Sequence, residues 1–196
     1  LQMMIGLYGS TPEKDIETAE KLISLSPDTV RIYPTITMKD TLLEKYYNDK
    51  KYVPYSKETT INTCAKILKM FYDKKINVIR VGLHYSDELV STSVAGFYHP
   101  AFRELCESKM FLDMLVNEIK KCPQGEFSVI VGNKFISKAI GQKKANIKVL
   151  KELGYIVTFK QSDTLKDFQF INRQGNFCIA CLFSLICSVK DNIFHL

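Results

Sequence analysis

The first 83 residues alternate short apolar runs with capped amphipathic segments, and no other feature restricts the fold as much. "QMMIG" (2–6) reads as a buried strand, "TVRIYPT" (29–35) as a second that Pro34 ends, and "NVIRVGL" (77–83) as a third. A helix from about Pro12 to Leu25 follows the first strand; Ser10 and Glu13 stand at capping-box spacing, and Pro12 suits a first helical turn. A short helix within Lys39–Asp49 and a longer one capped by Ser56 lead to the third strand. In the longer helix Ile61, Cys64, Leu68 and Phe71 keep helical spacing. Strand and helix in turn are the pattern of βα units on a parallel sheet, hence an α/β fold. On such sheets ligands gather at the carboxyl ends of the strands. Those ends fall at Gly6–Ser10, Tyr33–Thr35 and Gly82–Tyr85.

After Ser86 the rhythm changes. A loop leads to "AGFYHPAF", a long helix is expected from about Pro100 to Lys121, and Pro123 to Gly125 make a turn. "EFSVIVG" then reads as strand, "NKFISKAIG" and "NIKVLKELG" as helices, and "YIVTFKQ" as strand, which together make a β-α-α-β unit. The expected division is a first domain over residues 1–86 and a smaller α+β domain over 87–196. The tail from Asp167 reads equally as a strand pair or a helix. At 196 residues, with 46% hydrophobic and 24% charged composition, the chain matches an ordinary soluble globular protein of one large or two small domains. Its longest uncharged apolar run, "FCIACLFSLICSV", has 13 residues, against roughly 20 for a membrane-spanning helix. A cytoplasmic protein with no membrane partner and six reduced, mostly buried cysteines is the expectation. Because "LQMMIG" opens directly on a strand, the chain is expected to continue upstream of Leu1 in a longer polypeptide.

"VRIYPTITMKDTLLEKYYNDKKYVPYS", a helix and "VIRVGL", in that order, resemble the region that follows the core of radical S-adenosylmethionine enzymes related to the catalytic subunit of Elongator. "LQMMIGLYGST" is similar to the strand and turn, typically ending Gly-Leu-Pro-Gly, that precede it there. "FYHPAFRELCES" is similar to bacterial members without an acetyltransferase domain. The resemblance covers roughly residues 1–165. It implies the C-terminal part of a partial (βα) TIM-like barrel, a [4Fe-4S] cluster, reductive cleavage of S-adenosylmethionine to a 5′-deoxyadenosyl radical, and modification of a tRNA uridine. The Cys-x3-Cys-x2-Cys that ligates the cluster is absent from this sequence. The resemblance places it upstream of Leu1, so the chain by itself is not expected to be catalytic. "CIACLFSLIC" (178–187) has different spacings and lies in an apolar run without basic or polar neighbours to orient a ligand; buried cysteines are the reading preferred over metal ligands.

The resemblance also implies which residues face the cofactor. Gln2 stands where family members direct a polar group at the nucleoside, and an amide both donates to and accepts from ribose hydroxyls; an ordinary strand residue is the alternative. Gly6 and Gly9 let a backbone approach a ligand closely, or only make a tight turn. Arg31 and Tyr33 share one strand face, directed at a carboxylate or substrate, unless Arg31 sits in an internal ion pair. Arg80 lies inside the third strand and His84 just beyond its end, where a histidine moves a proton near neutral pH or makes a structural hydrogen bond. His99 is expected to orient the entry to a helix. No histidine has metal-ligand spacing, so no metal site is assigned.

Six lysines and no acidic residue lie between Lys134 and Lys151, within a chain of net charge +6. "AIGQKKANIKVLKELGYIVTF" resembles a KH module, whose Gly-x-x-Gly loop between two helices clamps a nucleic-acid backbone. Gly141 matches the first glycine of that loop and Lys144 replaces the second. Gly141, Gln142, Lys143, Lys144, Asn146 and Lys148 are therefore the candidate RNA contacts, against the alternative of a solvated lysine face. Two other functions stay open: a non-catalytic RNA-binding or assembly module, and a radical enzyme with a small-molecule substrate.

Overall fold

The computed structural model describes residues 1–163, 165, 170–174 and 177–181, the last two segments through their backbone alone. The expected alternation forms. Strands β1 (Gln2–Ile5), β2 (Thr29–Pro34) and β4 (Asn77–Val81) make a parallel sheet in the order β1-β2-β4. Helices α1 (Pro12–Ser24) and α3 (Lys57–Asp73) are the crossovers, with the short α2 (Leu42–Asn48) between β2 and α3. Met3, Ile5, Val30, Ile32, Val78 and Val81 are buried beneath the helices, so one face of this sheet is covered.

Helix α3 begins where its sequence directs: the Ser56 hydroxyl accepts from the Thr59 amide at 3.0 Å. Cys64, Leu68 and Phe71 line its fully buried stripe. Helix α1 starts one residue later than its capping signature suggests. Thr11 is the cap and accepts from the Lys14 amide, because the Ser10 hydroxyl is committed to the Asp15 carboxylate at 2.6 Å.

The segment after Ser86 is more ordered than its polar composition suggests. It forms helix α4 (Asp87–Thr92) and strand β5 (Ser93–Ala95), and β5 pairs antiparallel with β3 (Thr37–Met38). These strands are three and two residues long, and their partners lie more than fifty residues apart. No period-2 pattern can emerge over so few positions.

Helix α5 (Phe102–Ile119) packs on α3 and on α6 (Ile136–Ile140). His99 prepares its entry as expected: Nδ1 accepts from the Ala101 amide at 3.1 Å. The β-α-α-β unit follows as β6 (Gly125–Gly132), a 3-10 turn (Asn133–Phe135), α6, a second tight turn (Gln142–Lys144), α7 (Ala145–Glu152) and β7 (Tyr155–Ser162). Strands β6 and β7 are parallel over eight paired residues. Strands β8 (Phe170–Gln174) and β9 (Phe177–Cys181) extend this sheet antiparallel, in the order β7-β6-β8-β9. Of the two readings of the tail, the strand pair is thus the one that forms over these ten residues. The rest of the apolar run, and every side chain of the cysteine stretch 178–187, lie outside the described residues. One buried cluster runs from Met3 through Phe71 and Phe111 to Val157, joining both sheets through α3 and α5. No helix among the described residues is long and apolar enough to cross a membrane.

Candidate functional site: an open sheet face and a lysine loop

The face of the first sheet away from α1 and α3 is open. Gln2, Met4, Arg31 and Ile79 are exposed there, and Tyr33 is half-buried. Gln2 stands opposite Arg31, Arg31 opposite Arg80, and Met4 opposite Tyr33, so four of the sequence candidates form two adjacent cross-strand rows. No ion pair involves Arg31 among the described residues, so the internal pair considered from sequence does not form there. Arg80 also lines a cavity of about 320 Å³ together with Gly82, His84, Tyr85, Pro100 and Arg103. His84 lines that cavity and is exposed just beyond the end of β4.

The loop after β1 is built from inside. Asp15, only 3% exposed, accepts from the Gly6 amide at 2.9 Å, from the Ser10 hydroxyl and from the Tyr55 hydroxyl at 3.0 Å. The Tyr52 hydroxyl donates to the Gly6 carbonyl at 2.7 Å. Burial, followed by the neighbouring Asp15, pushes both phenols above their ordinary range, so both remain protonated donors. Gly6 is thereby corrected as a ligand contact: its N–H and C=O are spent within the protein, and a Cβ there would meet the Tyr55 ring at 3.1 Å. Its positive φ of 75° is what the turn requires. Gly9 stays exposed and open, with nothing near its missing Cβ. Asp15, Tyr52 and Tyr55 carried no sequence signal, because their partnership spans up to 46 residues.

The second candidate region lies between α6 and α7. Gln142, Lys143, Lys144 and Lys148 are all exposed. Gly141 adopts φ 77°, ψ 157°, a region essentially reserved for glycine. Lys143 and Lys144 follow with φ 52° and 61°, two successive left-handed residues without glycine. Asn146 does not belong with them. It is 4% exposed, and its Nδ2 lies 3.0–3.1 Å from the Ser108 carbonyl and hydroxyl and from the Lys138 and Ala139 carbonyls. It is a bracket that ties α7 to α5 and α6, and it is turned away from solvent. Its side chain also explains Gly141, whose Cβ would approach Asn146 to 3.0 Å.

Lys138 is likewise drawn inward. Its Nζ meets Glu107 Oε2 at 2.6 Å, while Oε1 accepts from Arg103 Nε at 2.9 Å and from the Tyr72 hydroxyl at 3.0 Å. Of the six lysines from Lys134 to Lys151, five therefore remain exposed. Among the described residues these five make no ion pair.

Residues 27–111 match the family described as the Radical_SAM C-terminal domain. The span runs from just before β2 into α5 and so includes Arg31, Tyr33, Arg80, His84 and Arg103. The chain is also similar to the tRNA uridine(34) acetyltransferase of Dehalococcoides mccartyi (strain CBDB1), at 28% identity over 109 residues, 54% of this chain and 24% of that protein. It thus spans about a quarter of that relative's length. The family match thus covers β2, β4 and the start of α5, and with them Arg31 and Arg80 of the cross-strand row.

Proposed function

We propose that the chain is the C-terminal part of a cytoplasmic radical S-adenosylmethionine iron-sulfur enzyme that acts on RNA such as tRNA. The observation that carries this reading is the family match over residues 27–111. The relative's name, tRNA uridine(34) acetyltransferase, supports tRNA as the substrate class. In this reading residues 1–86 complete a partial barrel, and residues 87–196, with the KH-like β6-α6-α7-β7 unit, present the RNA.

The residues present fit part of the implied cofactor. Gln2, Arg31 and Tyr33 offer hydroxyl- and carboxylate-binding groups on one open face, and Gly9 borders it; Arg80, paired with Arg31, and His84 line the cavity. They do not fit an iron-sulfur cluster. Cys64 and Cys106 are buried within the α3-α5 contact, burial pushes the Cys106 thiol well up, and the described residues contain no metal-binding group. We assign the cluster ligands to sequence before Leu1, and no step of the radical chemistry to this chain. S-Adenosylmethionine, once bound, would supply the adenosyl group whose ribose Gln2 is suited to hold.

RNA contact is assigned to Gln142, Lys143, Lys144 and Lys148; Gly141 is buried, with its N–H given to the Ser137 carbonyl and its C=O accepting from the Lys144 amide, so it shapes the loop and does not touch the ligand. The exposed lysines supply salt-dependent phosphate affinity and little sequence readout. Fluorescence-anisotropy titration of labelled tRNA at two salt concentrations tests this. The chain should bind at low salt and weaken as salt rises, and Lys143→Glu with Lys144→Glu should lower affinity at least about tenfold. No binding at low salt, or affinity unchanged in the double variant, would sink the RNA reading.

A further inference from the structure

The turn after β1 shows solvent a large aromatic side chain that its own shape does not require. The Ser10 amide donates to the Leu7 carbonyl at 2.9 Å, and Gly9 has φ 77° while Tyr8 keeps a negative φ. These are the marks of a type II turn with Tyr8 at its second position and glycine at its third. Proline suits that second position, because its ring presets the φ, and the similar Gly-Leu-Pro-Gly turns carry it there. The backbone is also held from below by Asp15 and Tyr52, through Gly6 and Ser10. Tyr8 is therefore dispensable to the turn.

Its ring is nonetheless fixed in place. Its centroid lies 4.7 Å from that of Tyr46 on α2, with the planes tilted by 38°, and the ring meets Tyr52 edge-on at 6.5 Å. Tyr8 still remains 53% exposed, so one side of the ring is occupied and the other is open. Leu7 beside it and Leu42, one helical turn before Tyr46, are exposed too, and nothing lies within 4 Å of the Cβ that Gly9 lacks. Cations flank the rings. Lys14 Nζ donates to the Gly9 carbonyl at 2.8 Å, Lys45 precedes Tyr46 on α2, and neither forms an ion pair among the described residues. Of the acids in these segments, Asp15 is buried beneath the turn, Glu44 accepts from the Asp40 amide, and Glu13 is drawn to the start of its own helix.

We propose that Tyr8, backed by Tyr46, is a stacking platform for an unpaired base of the RNA, with Lys14 and Lys45 beside it for the phosphates. An aromatic ring accepts any base through its π-face, and neighbouring amines take the backbone charge. An apolar peptide would leave both amines without a partner. The turn also lies at the carboxyl end of β1, the side on which ligands of parallel sheets gather. This inference rests on the proposed RNA reading and adds a contact outside the lysine loop.

Fluorescence anisotropy of labelled tRNA at two salt concentrations, with the whole chain, tests the platform. Affinity should fall about fivefold or more in Tyr8→Ala and in Tyr8→Pro, and hold in Tyr8→Phe, which keeps the ring. The salt slope should stay that of the parent, because a stacked ring releases no counterions. Thermal melting of Tyr8→Pro should match or exceed the parent, since proline fits this turn; a lower melting temperature would make Tyr8 a packing residue and overturn the platform. Equal tRNA affinity in parent and Tyr8→Ala also overturns it, and weakening by Lys143→Glu with Lys144→Glu would then preserve the RNA reading alone. A parent that binds no tRNA removes both. Weaker S-adenosylhomocysteine binding in Tyr8→Ala, with tRNA binding unchanged, would make the ring a cofactor contact and likewise overturn the platform.

Discussion

Single residues decide the lysine loop. A left-handed conformation costs an L-residue about 1–2 kcal/mol, and here Lys143 and Lys144 both adopt it, with φ 52° and 61°. Lys144 is the third residue after Gly141, and its left-handed φ of 61° is one that glycine adopts without strain, while the lysine side chain adds charge. Lys144→Gly should therefore stabilise the fold by about 0.5–1 kcal/mol in urea unfolding, the relief of strain outweighing the added chain entropy. The same variant should lower the salt slope of tRNA binding by about one phosphate contact. Gly141 and the lysines were legible from sequence; the role of Asn146 was not. Its amide faces acceptors as far away as Ser108, 38 residues back, and proximity in the chain to the loop is not proximity to the loop's outer surface.

At the scale of elements, the cap of α1 and the turn after β1 form one device. Asp15 lies in the first turn of α1 and takes donors from Gly6, Ser10 and Tyr55. This draws Ser10 out of its expected capping role and passes the cap to Thr11. Asp15→Ala would leave three donors unsatisfied in a buried site and should destabilise the chain by about 2–4 kcal/mol in chemical denaturation. Asp15→Asn, which retains one acceptor oxygen, should lie between the two. The helices and long strands were legible because each repeats its period over several turns or pairs. Helix α4 and the β3-β5 pair were not, since six, two and three residues are too few to show a period.

For the whole molecule, the decisive contact is the network on Glu107, which ties Tyr72 of α3 and Arg103 of α5 to Lys138 of α6. Burial pushes the Glu107 carboxyl up, but Lys138 and Arg103 outweigh it and hold the group below its ordinary value of 4.5. The Tyr72 phenol, raised to about 12 by burial and then by Glu107, stays protonated and donates to it. A lowered folded value means that the stabilisation is complete above about pH 4.5 and is lost as pH falls through the folded value. Glu107→Gln strands two cations and should cost about 3–5 kcal/mol at pH 7. That deficit should shrink below pH 4.5, as followed by urea unfolding across pH.

By itself the sequence determined the βα alternation, the caps of long helices, the β-α-α-β unit and the residue types offered at each strand end. These depend on local periodicity and backbone preference, which neighbouring residues encode. Only the tertiary structure decided that a register shift pairs Arg80 with Arg31, that Lys138 and Asn146 serve the interior, and that Gly6 is sealed from within. Each of these depends on a partner distant in the chain, and the distance is closed only when apolar burial brings α3, α5 and the two sheets into one cluster.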